Sequence, residues 1–438
     1  MILRNAKRVT LDPPSIRTDD LRIEKGKVSE WGRKLVPRSG EEVTDLAGKL
    51  LIPGFVCAHT HLYSSLARGM PGPKSPPRDF LDILKKVWWK LDRALDEETI
   101  YFSALVGATE ALQCGTTTLV DHHASPNWIP GSLDIIREAV ERVGVRAVLC
   151  YEVTDRGGWK QRDQGLEENE RFIRSSSSHM SVRGMVGAHA SFTLSDESLR
   201  LCSQLADDHN TGVHIHVAED LCDVEDARKR RPPDRRAGSK GIVNRLRTHG
   251  ILSDRSILAH CIHLVPQEFR TLRKAKCWLV HNPRSNMNNN VGHAPVHWFG
   301  ERAALGTDGF PADMFEEAKF GFFKKQEGHG LRRSDYNSAK LLSGGQRMVS
   351  EIFGENYGSF EKGAVADFVV LDYVPPTPLT EQNLLSHVLF GMRSAMVKSV
   401  IVGGKWVMKE GQLLNLNIEE VHKKSSEISA RLWSRMNG

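Results

Sequence analysis

Two histidines one residue apart close the apolar stretch Phe55-Val56-Cys57-Ala58-His59-Thr60-His61. In a β-strand, residues i and i+2 share a face, so His59 and His61 can aim both imidazoles at one point. Imidazole and carboxylate together suit Zn²⁺ or Fe²⁺ held with a position open to water. A satisfied pair of core histidines is the plain alternative, and this stretch alone does not decide between them. His214 and His216 repeat the spacing, and parity admits both as ligands. Glu219 follows where that strand gives way to loop, within reach of a substrate, or else as a solvated loop acid. Cys57 shares the parity of His59 and His61, but it sits deeper, where a free cysteine is commonly packing.

Eight short apolar runs read as buried parallel strands: 51–59, 116–123, 145–152, 183–189, 212–219, 256–261, 277–282 and 303–308. Helical patterning lies between several of them, at 97–113, 132–143, 195–209 and 266–275. This alternation predicts an α/β fold, a (β/α)₈ barrel. Ten of the 18 histidines fall at or just past the run ends: His59, His61, His122, His123, His189, His214, His216, His260, His263 and His281. The eighth run ends in Asp308. The carboxyl ends of barrel strands form one catalytic face, so these groups are expected to converge on a single mouth. Scattered core histidines would not respect strand ends, and the metal reading gains accordingly.

The two ends of the chain differ from the middle. Gly26, within Glu24-Lys25-Gly26-Lys27, and the pair Gly403-Gly404 mark hairpin turns between short strands. Residues 1–55 and 360–415 are expected to form a small composite β-sandwich, 56–359 the barrel, and 416–438 a C-terminal helix. The chain has 438 residues, and Lys+Arg 60 against Asp+Glu 54 gives only +6. No basic stripe with interleaved aromatics accompanies that charge, which argues against nucleic acid as a partner. Seven cysteines without a CxxC pair suit reduced thiols in a cytoplasmic protein. No apolar run reaches membrane-spanning length, and the start, MILRNAKRVTLDPP, lacks a signal-peptide core.

The strings PGFVCAHTHLYSSLARG (53–69), HIHVAED (214–220), LAHCIHL (258–264), HNPRSNMNNNVG (281–292) and LGTDG (305–309) resemble the amidohydrolase superfamily. Within it they are similar to the deaminase and chlorohydrolase branch. WWKLDRALDEE (88–98), VDHHASP (120–126) and DMFEEAKFGFFK (313–324) resemble the SsnA-type aminohydrolases. The resemblance implies the barrel with its composite sandwich, and one catalytic metal held by His59, His61, His216 and Asp308. Zn²⁺ is the expected ion, with Fe²⁺ as the alternative. It also implies catalytic roles for Glu219 and His260 beside that metal. Strand four ends in His189 rather than lysine, which argues against the two-metal branch bridged by a carbamylated lysine.

On this resemblance the chain is a metal-dependent hydrolase that releases ammonia from a purine-, pyrimidine- or triazine-like ring. Asp308 acts as ligand and base, His260 orients the attacking water and stabilises the oxyanion, and Glu219 protonates a ring nitrogen. His122, His123, His189, His281 and Asn286 are candidates for contacting substrate, or for structural roles. Dehalogenation, cyclic amide hydrolysis and a non-catalytic scaffold are the competing expectations. A small-molecule substrate, no membrane and a homo-oligomer complete the expected partners. The basic run 228–236, RKRRPPDRR, reads as a solvated loop or subunit contact, and alternatively as an element steering anionic substrates.

Overall fold

Strands β1 (Ile2–Leu11), β2 (Pro14–Glu24), β3 (Lys27–Gly32), β4 (Val43–Asp45) and β5 (Leu50–Pro53) open the computed structural model, which describes residues 1–230, 241–329 and 337–437. Next come β6 (Phe55–Thr60), β7 (Thr116–His123), β8 (Arg146–Val153), β9 (Val182–Gly184) and β10 (Val186–Ala190). They are followed by β11 (Val213–Val217), β12 (Ile257–His260), β13 (Trp278–His281) and β14 (Ala303–Leu305). The chain finishes with β15 (Phe368–Leu371), β16 (Val397–Val402), β17 (Lys405–Lys409), β18 (Gln412–Leu413) and a helix over Ile418–Asn437.

The middle strands form a parallel sheet in the order β14-β13-β12-β11-β10-β8-β7-β6, with β9 beside β8. The two edges meet. Thr60 bridges Asp308 in parallel, Thr307 N–H donates to the His59 carbonyl at 2.8 Å, and His61 N–H donates to the Asp308 carbonyl at 3.1 Å. The sheet is thus a barrel, and its seam runs through the residues that carry the site. Helices 97–113, 132–143 and 266–275 fall where the patterning places them, and 195–209 shortens to Asp196–Asp208. Local chemistry explains their ends. Asp96 caps 97–113 through Thr99, Ser195 caps Asp196–Asp208 through the Ser198 N–H, and Gly144 closes 132–143 with φ 93°.

Both ends of the chain join one further sheet, β18-β17-β16-β15-β5-β1-β2-β3, with β4 beside β1. The run 51–59, expected as one strand, is two. Leu50–Pro53 belongs to this terminal sheet and Phe55–Thr60 to the barrel. Gly54 makes the changeover, because a Cβ there would lie 2.2 Å from Thr117 Oγ1. Composition on the two sides of Gly54 is equally apolar, so the break leaves little trace in hydropathy. Of the basic run, residues 231–236 lie outside the described residues. Arg230 donates to the Leu194 and Phe192 carbonyls at 3.0 and 3.1 Å and pairs with Asp226, a structural engagement. No helix among the described residues is long and apolar enough to cross a membrane.

Candidate active site

His59 is the last residue but one of β6, His61 lies one residue beyond the strand, His216 sits near the end of β11, and Asp308 follows β14. One donor atom from each lies within 4.8 Å of the other three. His61 Nε2 is 3.1 Å from His216 Nε2 and 2.9 Å from Asp308 Oδ1, which is 3.3 Å from His59 Nε2. The opposite ring nitrogens are held in place. His61 Nδ1 donates to the His122 carbonyl at 2.6 Å, and His216 Nδ1 to the His189 carbonyl at 2.7 Å. A carbonyl only accepts, so each neutral ring keeps its Nε2 lone pair for the common point. His59 Nδ1 shares a 2.8 Å hydrogen bond with His214 Nε2. His214 therefore supports a neighbouring ring instead of joining the cluster.

Lone pairs and a carboxylate aimed at one point require a positive charge there. Burial lowers the pKa of His61, but the hydrogen bond and charge of Asp308 outweigh it and lift the imidazole to about 9. His59 has no such excess, and burial takes it down to about 3. A proton taken up at this point is what a donor set built for a cation does without one. The three imidazoles and one oxygen fit a divalent metal, each ring oriented by a second partner as metal-ligating histidines are. Two further clusters among the described residues share members with this one: His122 and Glu152 with His216, and Glu219 and His260 with Asp308.

Three strand ends here turn through left-handed backbone without glycine: Ala218 at φ 49°, His260 at 70° and Asp308 at 54°. Such residues cost about 1–3 kcal/mol each and gather where geometry is demanded by function. His260 donates from Nδ1 to Asn286 Oδ1 at 2.8 Å, leaving Nε2 3.6 Å from Glu219 Oε2. Burial, and next the Asp308 carboxylate, hold Glu219 well above the usual carboxylate range. His59 and His61 keep Asp308 ionised against its burial.

A cleft of about 690 Å³ opens above the cluster, with His61, His216, Glu219 and Asp308 in its lining. Phe80, Trp88 and Trp89 from the segment after β6, with Phe192 after β10, give it aromatic walls. Among the expected substrate contacts, His189 lines this cleft and the others do not. His122 lies beneath it, its Nε2 donating to the Ala188 and His214 carbonyls. His123 points to the other side of β7 and donates to Ser125 Oγ at 2.9 Å. His281 packs near His293 and Phe299. Asn286 braces His260. Cys57 is fully buried and contacts Thr307, as packing.

The cleft also contains groups that strand-end histidines do not announce: Tyr63, Asp92, Glu152 and Asn289. Glu152 carries a signal all the same, as the one acid in the apolar β8 string RAVLCYEV. Asp92 is buried against Arg156 at 2.8 Å, and that guanidinium lies 4.7 Å from the Trp89 ring.

The amidohydrolase family model matches residues 50–407. The chain is 27% identical to a 5'-deoxyadenosine deaminase of Methanocaldococcus jannaschii, covering 94% of this chain and 96% of that protein. It is 29% identical to a 5-methylthioadenosine/S-adenosylhomocysteine deaminase of Thermococcus sibiricus, over 93% and 94% respectively. An adenosine deaminase from Xanthomonas campestris, solved with bound zinc, superposes with a TM-score of 0.85 at 20% identity, over 99% of this chain and 98% of that one. At that identity the superposition speaks for the fold. With the barrel, the cation-demanding cluster and the family match together, the chain belongs to the amidohydrolase family, hydrolases acting on carbon–nitrogen bonds.

Proposed function

We propose that the chain is an aminohydrolase releasing ammonia from an amino-substituted heterocycle, with one divalent ion, Zn²⁺ best suited, held by His59, His61, His216 and Asp308. The deaminase relatives support a purine-type ring, which the aromatic walls of Trp88, Trp89 and Phe192 suit for stacking. When bound, the ion supplies Lewis acidity that makes water nucleophilic near neutral pH. Asp308, ionised, accepts a proton from the attacking water. His260 orients that water, its ring fixed by the Nδ1–H bond to Asn286 and by the Asn282 amide, which donates to Nε2 at 3.4 Å. Glu219 gives its proton to a ring nitrogen, and the adjacent carbon becomes electrophilic. The seven unpaired cysteines fit a reducing compartment such as the cytoplasm.

One observation carries the reading: the Glu219 carboxyl stands 3.6 Å from His260 and beside the four-group cluster, in surroundings that raise its pKa well above the usual carboxylate range. An ammonia-release screen over 5'-deoxyadenosine, 5'-methylthioadenosine, S-adenosylhomocysteine, adenosine, guanine and an aminotriazine tests it. Glu219→Gln should retain metal and lose about 10²–10⁴-fold in turnover. Full activity of Glu219→Gln would sink the proton-donor role. Chloride release from chlorinated analogues, with no ammonia from any amine, would move the chain to the halide-releasing branch.

A further inference from the structure

Asp223, in the first turn of the helix Leu221–Lys229, is buried and lines the cleft. Its two carboxylate oxygens serve two different pieces of the mouth. Oδ2 accepts the Ala218 N–H at 2.9 Å, and Oδ1 accepts the Phe192 N–H at 3.1 Å. Phe192 belongs to the aromatic wall. Its turn is held from elsewhere by Arg245, which donates to the Ser191 hydroxyl at 2.7 Å and the Leu194 carbonyl at 2.8 Å. Ala218 is the left-handed residue immediately before Glu219, and its carbonyl accepts the Ile262 and His263 N–H groups, both at 3.1 Å. Those two follow His260 and Cys261, which are left-handed as well, at φ 70° and 53°. Glu219 and His260 thus stand on two strained turns joined through one alanine, whose N–H is held by Asp223. An alanine at φ 49° occupies backbone space that its Cβ disfavours, so its bonds must keep it there. A relaxing turn at Ala218 would carry Glu219 with it.

We propose that Asp223 is a positioning residue: by tying the Ala218 turn to the Phe192 wall, it sets Glu219 against the substrate ring. The wall that stacks the ring and the carboxyl that protonates it are then held in register by a single carboxylate. This rests on the proton-donor role of Glu219 given above. A misplacement of about 1 Å in a reacting group can cost about 10²-fold in rate, so the turn has to be held closely. Asparagine has nearly the same shape as aspartate. Its one carbonyl oxygen can serve only one of the two N–H groups, while its amide turns a donor toward the other.

The test uses the metal-loaded full-length protein and the amine of the screen above that turns over fastest. It is run at about pH 8, where the carboxyl is ionised, burial having pushed its pKa up to about 7. Asp223→Asn should keep its metal and lower kcat about 10–100-fold. In the Glu219→Gln background the same substitution should cost less than about threefold, because the group it positions is already gone. A crystal structure of Asp223→Asn should show the Glu219 carboxyl displaced by about 1 Å or more from its place beside His260. Asp223→Ser, whose single hydroxyl cannot serve both N–H groups, takes over if the asparagine variant does not fold. An unmoved Glu219 or a loss of metal would overturn the assignment. So would an unchanged kcat, or an equal loss in both backgrounds, where Glu219→Gln is itself impaired. A displaced Glu219 together with full activity of Glu219→Gln would sustain the positioning and defeat the proton-donor reading instead.

Discussion

Ser285 Oγ donates to Asp308 Oδ2, and that bond decides which carboxylate oxygen faces the histidines. With Oδ2 engaged, Oδ1 is the atom set 2.9 Å from His61 and 3.3 Å from His59. Removing the hydroxyl frees Asp308 to rotate. Ser285→Ala should weaken metal affinity about 10–100-fold, the usual cost of losing a group that orients a ligand. Competition with a chelator reads the affinity directly. An unchanged affinity would mean that the strand, not Ser285, holds the carboxylate.

Gly306 lies in the barrel seam, against β6. A Cβ there would stand 2.8 Å from both the backbone nitrogen and the Cβ of His59, and 2.5 Å from Asn282 Oδ1. Something must move, and His59 is the nearest backbone. Gly306→Ala should destabilise by about 1–3 kcal/mol, as overpacking does, and lower metal occupancy as well. Denaturant melts with metal analysis check both. Normal occupancy in a destabilised variant would separate the seam from the ligand.

The clustering of His59, His61, His216 and Asp308 agrees with the set the family resemblance implied, whereas strand parity alone left His214 as eligible as His216. The supporting partners were not legible. Asn286 and Ser285 sit in one short helix, Pro283–Asn288, and nothing in PRSNMN tells which side chain braces His260 and which reaches Asp308. His122 and His123 are adjacent, so the pleat sends them to opposite sides of β7, and neither lines the cleft. Glu152 obeyed the same strand-end rule that found the histidines, but a single acid in an apolar run attracts less notice than a paired imidazole. Trp88, Trp89 and Asp92 come from the segment between β6 and β7, whose path over the mouth depends on tertiary packing and not on periodicity. The barrel itself was legible from alternation, whereas the split at Gly54 required knowing where two sheets diverge.

His123 makes a pH dependence that can be isolated. It is buried, donates to Ser125, and burial pushes its pKa down to about 3. The unfolded chain takes up this proton near pH 6.5 and the native state does not until about 3. Stability present above 6.5 is therefore lost as pH falls across that window. His123→Gln keeps a donor for Ser125 and removes the titration. Relative to the parent, its stability should fall less steeply between pH 6.5 and 4, by up to about 1.4 kcal/mol per pH unit. Parallel urea-melt profiles for the two proteins would contradict this.

Arg146, at the start of β8, reaches out of the barrel to Asp367, just before β15 of the terminal sheet. Nε donates to Oδ2 at 2.7 Å, Nη2 to Oδ1 at 3.3 Å, and the Gly403 N–H adds a third bond to Oδ1 at 2.6 Å. Both side chains are buried, at 8% and 5% exposure, so solvent screens the pair little. Asp367→Ala leaves a guanidinium inside without its counter-charge and should cost about 3–5 kcal/mol. Adding Arg146→Met should restore part of that loss, because the uncompensated charge is then gone, while the Gly403 N–H still lacks its acceptor. Metal content should stay normal in the folded variants, since neither residue touches the ligand cluster. A double variant no more stable than Asp367→Ala alone would show that the pair acts through geometry at Gly403 and not through charge.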